Sequence, residues 1–186
     1  LVSYEDSISP EFYELERDAI FRRTWLNVGR VELLPRNGSY FTKELQVART
    51  SIIVVRGMDG QVRAFHNICR HRGNKLVWND IPGDEVNGTC RQFTCKYHGW
   101  RYDLDGALNF VQQEGEFFDL DKADYPLKSV RCEVWEGFIF INLDDNAEPL
   151  VDYLGDFGEG LKGYPFHEMT EHYSYRSEIN ANRQLF

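Results

Sequence analysis

CRHRG at residues 69–73 and CKYHGW at residues 95–100 each hold one cysteine and one histidine. In the first stretch the pair is Cys69 and His71; in the second it is Cys95 and His98. Each pair comes after a strand-like segment and runs into a glycine-containing turn, which predicts both pairs in loops. Twenty-three residues, 72 to 94, separate them. That is enough chain to leave and return, so two loops can converge at one end of a β-domain and present four donors.

The flanking segments support such a domain. VGRVELL (28–34), SYFTKEL (39–45) and TSIIVVRG (50–57) are short β-branched or aromatic runs separated by Gly, Asn and Pro. MDGQ (58–61) reads as a hairpin turn into VRAFHN, and DLDG (103–106) as a turn between GWRY and ALNF. VRCEVWEGFIFINL (130–143) reads as two strands meeting at Glu136-Gly137. NDIPGDEVNGTCRQ (79–92) reads as an extended hairpin. Residues 25–143 are therefore predicted to be mainly antiparallel β, in a small sandwich or barrel.

Upstream, Ser9-Pro10-Glu11 is a helix-start signature. Phe12, Leu15, Ala19 and Ile20 fall at helical spacing, which predicts a helix over about 10–23 packed on the β segment after it. Residues 144–165 read as loop, and HYSYRSEINAN (172–182) as a strand.

Composition narrows the class. The 186 residues are 42% hydrophobic and 15% aromatic, enough for a sizeable core. A net charge of −9 argues against nucleic acid and anionic membrane as partners. No apolar run approaches the roughly 20 residues of a membrane span. LVSYEDSISP is polar and acidic, unlike a secretory signal, and without an initiating Met the start reads as trimmed. Four cysteines are too few for a disulfide scaffold. Reduced thiols in the cytoplasm are the expectation, and cysteines beside histidines then point to metal.

Structural zinc accepts two Cys and two His but usually groups like with like along the chain. A cysteine-only cluster would have to draw on Cys90 and Cys132, whose spacing is unsuitable. A Rieske [2Fe–2S] cluster replaces two Cys by two His on one iron, so each loop gives one thiolate and one imidazole. The mixed pairs favour that cluster, with zinc or no metal as the alternatives. Backbone N–H groups around Arg72-Gly73 and Gly99-Trp100 are candidates to bond the sulfides. Trp100 is expected to pack against the loops and exclude water. Arg70, Arg72 and Lys96 are expected either to be solvated or to offset cluster charge.

FHNICRHRG with CKYHGWRYDLDG, and AIFRRTWLNVGR upstream, resembles the Rieske domain of the α subunit of Rieske non-haem iron oxygenases of the aromatic-ring-hydroxylating type. The likeness covers roughly residues 12–145, and its ligand pattern falls on Cys69, His71, Cys95 and His98. It implies a helical segment at 1–24, a Rieske domain at 25–147, and at 148–186 a linker and first strand of an α+β catalytic domain. It further implies a ferredoxin or ferredoxin reductase as electron donor, and a homotrimer or α/β hetero-oligomer. In the family, electrons reach a mononuclear Fe(II) in a neighbouring α subunit through an Asp beside a cluster His. That iron hydroxylates an aromatic or related substrate with O2, and its two-His-one-carboxylate ligands are expected beyond residue 186.

Asn74 and Tyr97 stand where the Rieske protein of cytochrome bc complexes carries disulfide cysteines, which separates this chain from that relative. A stand-alone Rieske carrier without oxygenase activity is the alternative. The tail departs from the family, with Asn182-Arg183-Gln184 in place of Asn-Trp-Lys.

Other candidates read as ordinary. HEMTEH (167–172) spaces its histidines off a shared helical face. His66 reads as a strand-end His with structural hydrogen bonds, and Cys90 and Cys132 as plain thiols.

Overall fold

TSIIVVR has four consecutive β-branched apolar residues, which suits a short strand covered on both faces. In the computed structural model, which describes residues 5–81, 83–169, 177 and 179, Ile52, Ile53, Val54 and Val55 are all buried to completion. They lie in β3 (Thr50–Arg56), the fifth strand of a seven-stranded antiparallel sheet. With β1 (Leu26–Arg30), β2 (Ser39–Leu45), β4 (Val62–His66), β5 (Asn87–Thr89), β9 (Ser129–Trp135) and β10 (Phe138–Asn142), its order is β1-β10-β9-β4-β3-β2-β5. A second sheet joins β6 (Phe93–Thr94), β7 (Arg101–Tyr102) and β8 (Leu108–Phe110).

The period of two sorts β3 between two cores. Ile52 and Val54 pack with Val28, Leu34, Phe41 and Ile139. Ile53 and Val55 pack with Phe65, Trp100, Tyr102 and Leu108, and this second core also encloses Cys69 and Cys95. The small sheet and its loops are thus seated on one face of the large sheet. The mainly β expectation is met, and the turns at 58–61, 103–106 and 136–137 all fall where the sequence puts them. Glu136 (φ 46°) and Gly137 (φ 82°) both take the left-handed conformation that suits a two-residue hairpin.

Three readings are corrected. The N-terminal segment is helical from Pro10 to Phe21, close to the expected 10–23, but changes character on the way. A short α1 (Glu5–Ile8) precedes α2 (Pro10–Glu16), which Ser9 caps by accepting from Phe12 N–H. A wide π turn, Arg17–Phe21, continues from it. The predicted apolar stripe does not anchor this segment, since Leu15 and Ile20 are exposed. The anchor is buried Arg17, whose Nε donates to Val47 O at 2.7 Å while its guanidinium covers the Tyr13 ring.

Residues 79–92 are not a hairpin of their own: β5 crosses to pair with β2 as the edge of the large sheet, Tyr40 opposite Gly88. Residues 144–165 are not all loop. Helix α3 spans Leu150–Leu161 and breaks at Gly155. Its start is tied down by Leu150 N–H donating to Glu133 Oε2 at 3.0 Å, just after Trp25 Nε1 donates to Glu148 O. The strand expected over 172–182, apart from Ser177 and Ile179, and the altered tail lie outside the described residues.

Candidate metal centre

Both loops fold into one turn. Cys69 N–H donates to Asn74 O (2.7 Å) and Gly73 N–H to Cys69 O (3.0 Å); Cys95 N–H donates to Trp100 O (2.8 Å) and Gly99 N–H to Cys95 O (3.0 Å). Gly73 and Gly99 share φ +71°, which a side chain would strain. The N–H groups of both glycines are therefore engaged within the loops.

The turns bring like donors together. Cys69 and Cys95 are both buried, and the sulfurs are neighbours. Burial foremost, and then the Cys95 sulfur, pushes the Cys69 thiol up, while the Tyr102 hydroxyl and the His71 N–H oppose the shift. The His71 and His98 rings meet at 4.7 Å between centroids, inclined by 70°. Burial, and then the nearby His98 and Arg72, pulls the His71 pKa down, which favours the neutral ring a metal needs.

One observation tests the fit. Among the described residues, His71 Nδ1 and His98 Nδ1 are the buried side-chain nitrogens with no hydrogen-bond partner. Two orphaned imidazole nitrogens side by side are costly unless something accepts their lone pairs, and a metal does. A sulfur pair beside a nitrogen pair suits a two-iron group, one pair per iron.

The surroundings brace the site. Buried Trp100 stacks on His71 (4.8 Å, 11°), as expected of it, and Phe117 stands edge-on to both rings. The Tyr102 hydroxyl, kept protonated by burial, lies 3.3 Å from Cys69 Sγ and accepts from Arg70 N–H at 3.0 Å. Asn74 Nδ2 lies 3.9 Å from Cys95 Sγ. Each loop thus sends a polar group toward the other's cysteine. Outside the imidazoles is a recess of about 260 Å³, lined in part by Tyr97, Gln112, Glu116 and Phe117. Sequence reasoning misses Tyr102, Asn74 and Phe117. The alternation of GWRY places Tyr102 inward, which is the available signal for it.

The four predicted ligands converge and the other candidates do not. His66 ends β4 with Nδ1 3.3 Å from Thr50 Oγ1, the structural role expected of it. Burial pushes Cys90 up to about 11 and Cys132 up to about 12, so both stay protonated thiols. His167 sits in a single 3-10 turn, Phe166–Glu168, and His172 lies outside the described residues. Lys96 covers the exposed Trp78 ring at 4.2 Å, and Arg72 lies over Tyr97. Among the described residues no helix is long and apolar enough to cross a membrane.

The family model of the Rieske [2Fe–2S] domain matches residues 24–130, more than half of the chain. The chain belongs to the Rieske [2Fe–2S] domain family. The glycine betaine monooxygenase oxygenase subunit of Pseudomonas aeruginosa (strain UCBPP-PA14) is 35% identical over 152 residues, which is 82% of this chain and 33% of that one. The large oxygenase component of the naphthalene 1,2-dioxygenase system of Pseudomonas aeruginosa is 40% identical over 151 residues, 80% of this chain and 32% of that one. Among solved structures, an apo quaternary ammonium Rieske monooxygenase matches with a TM-score of 0.77 at 31% identity, over 87% of this chain and 45% of that one. This Rieske chain spans about a third of the curated relatives' length.

Proposed function

We propose that Cys69, His71, Cys95 and His98 hold a Rieske [2Fe–2S] cluster, and that the chain is the electron-entry part of a Rieske non-haem iron oxygenase α subunit. The orphaned Nδ1 pair beside the buried sulfur pair carries this reading. Bound there, the cluster supplies one-electron storage, with the His-ligated iron the better acceptor because imidazoles bring no negative charge. The chain's own residues shape that chemistry. Cys69 and Cys95 would bring the negative charge to one iron, Tyr102 donates toward Cys69, and Trp100 and Phe117 brace the His71 ring.

The oxygenase reading extends to a mononuclear Fe(II) on two His and a carboxylate, supplied by polypeptide beyond residue 186. Within that whole, residues 25–147 are the Rieske unit, and 148–186 lead toward a catalytic domain. Relatives named for glycine betaine, carnitine, benzene and naphthalene share 33–40% identity with this chain. The relatives named for benzene and naphthalene lie at 38–40% and those named for glycine betaine and carnitine at 33–35%, a margin too narrow to choose a substrate, so aromatic hydroxylation is one branch of the reading and amine oxidation another. The coding sequence past residue 186 should encode the two His and the carboxylate, and the loaded full-length protein should hold about three irons. About two irons, with no such residues, would make this a stand-alone carrier in place of an oxygenase.

The electron donor is proposed to be an acidic ferredoxin or reductase, consistent with a cytoplasmic system. A cleft of about 430 Å³ beside the first loop is lined by Arg22, Arg49, His66, Arg70 and Lys128, with no carboxylate in its lining. Arg22 pairs with Asp18 and Arg49 with Glu14, so Arg70 and Lys128 are the cations this proposal relies on for steering an acidic partner. Arg70→Glu with Lys128→Glu should slow reduction by the donor about tenfold at low salt and leave dithionite reduction unchanged. An unchanged donor rate would remove this surface from the pathway.

A further inference from the structure

The second loop closes on a β-ladder. Outward from the Cys95–Trp100 bond, Thr94 pairs with Arg101 and Phe93 with Tyr102. The first loop has the same inner bond, Cys69 to Asn74, but neither flank beyond it belongs to a strand pair. Asn67 lies two residues before Cys69, as Phe93 lies two before Cys95. Leu76 lies two beyond Asn74, as Tyr102 lies two beyond Trp100.

At that position the carboxamide of Asn67 does what a neighbouring strand does elsewhere. Its Oδ1 accepts from Leu76 N–H (3.1 Å) and Val77 N–H (2.9 Å), and its Nδ2 donates to Val77 O (2.7 Å) and Ser51 Oγ (3.1 Å). Asn67 N–H also donates to Ser51 O in β3. The anchorage continues outward: Ser51 Oγ and Lys75 Nζ both donate to Glu44 Oε1, each at 2.6 Å. Asn67 is 0% exposed, and its oxygen and both amide hydrogens are used within the protein. A buried amide so fully satisfied is rigid, and breaking it leaves several unpaired groups.

We propose that Asn67 is a positioning residue for the Cys69 and His71 half of the site, its side chain standing in for the missing rung of the ladder. The proposal rests on the assignment of the cluster to these four ligands. It predicts that Asn67 governs how tightly and in what geometry the first loop holds its iron ligands, beyond any general contribution to folding.

Asn142 is the control. It is a second buried Asn, at the end of β10, donating to Arg23 O and accepting from Asp144 N–H. In reconstituted protein, Asn67→Ala should lose its cluster to a chelator about tenfold faster than wild type, and the g anisotropy of its reduced EPR signal should shift. Asn142→Ala should leave both near wild type at a comparable loss of Tm. Asn67→Asp keeps two acceptor positions and should fall between. Should Asn67→Ala not fold, hydrogen exchange on the unaltered protein decides: the amides of Leu76 and Val77 should exchange as slowly as those of the β6–β7 ladder. Equal behaviour of Asn67→Ala and Asn142→Ala, or exchange at 76–77 as fast as at 79–81, overturns the proposal. Failure of wild type itself to take up a cluster would instead overturn the cluster assignment.

Discussion

Loops 69–74 and 95–100 share their internal hydrogen bonds and the φ of their glycines, yet one is set into a β-ladder and the other is tied to its flank through a side chain. The ligand order differs as well, with His71 two residues after its cysteine and His98 three. One backbone turn therefore serves two ligand spacings, and the shift lets the imidazoles meet while the sulfurs stay together. What the turn demands is legible locally. What holds the turn in place depends on the chain around it.

The strongest challenge to the equivalence of the loops is ligand removal. Cys69→Ala and Cys95→Ala should each abolish cluster uptake, measured as iron content falling from about two per chain to near zero. If one variant kept its iron, the loops would not contribute equally. Replacing Cys90 and Cys132 by Ala should leave the iron content unchanged.

A smaller effect is expected at the glycines. Gly73→Ala and Gly99→Ala each force a side chain into a left-handed backbone, for about 1–2 kcal/mol of stability. A Cβ at Gly73 meets nothing within 4 Å, and one at Gly99 meets only the movable end of Gln112 at 2.8 Å. Chemical denaturation should therefore find the two costs within about 0.5 kcal/mol of each other. A much larger cost at Gly99 would mean that the second loop is the more tightly enclosed.

The smallest expected effects separate the two cysteines. Tyr102→Phe removes a donor 3.3 Å from Cys69 Sγ. Losing a bond to a thiolate destabilises the reduced, more negative cluster, so the reduction potential should fall by roughly 20–60 mV. Asn74→Ala acts on Cys95 across 3.9 Å, a longer and weaker contact, and protein-film voltammetry should register a smaller drop. The reverse order would assign the stronger tuning contact to the second loop.

These comparisons also separate what was legible in the sequence from what was not. The convergence of Cys69, His71, Cys95 and His98 was readable because a Cys/His pair in each of two glycine-ended loops is a restricted pattern, and the turns at Gly60, Gly106 and Gly137 because left-handed backbone restricts their residues. β3 was readable because its short run of β-branched residues is bounded by turn residues. The supports were harder. Asn67 reaches backbone nine and ten residues away, an interaction with no periodicity and no characteristic neighbour. Helix α3 carries Gly155, Gly158 and Gly160, which weaken the helical signal, and it is held at its start by Glu133 from a strand. β5 leaves its sequence neighbours to pair with β2, a choice made by the exposed edge of the large sheet. Arg17, in place of the apolar stripe, anchors the N-terminal segment because its guanidinium finds Val47 O.

The central claim is that each loop gives one sulfur and one nitrogen to a two-iron cluster, with both nitrogens on one iron. Pulsed EPR of the reduced, reconstituted protein tests it most directly, because the unpaired spin reports the atoms bound to the reduced iron. The account predicts strong couplings to two imidazole nitrogens, absent from His71→Ala and His98→Ala protein, which should not assemble the native cluster. An EPR-silent protein holding a single zinc, or a cluster signal free of nitrogen coupling, would contradict it.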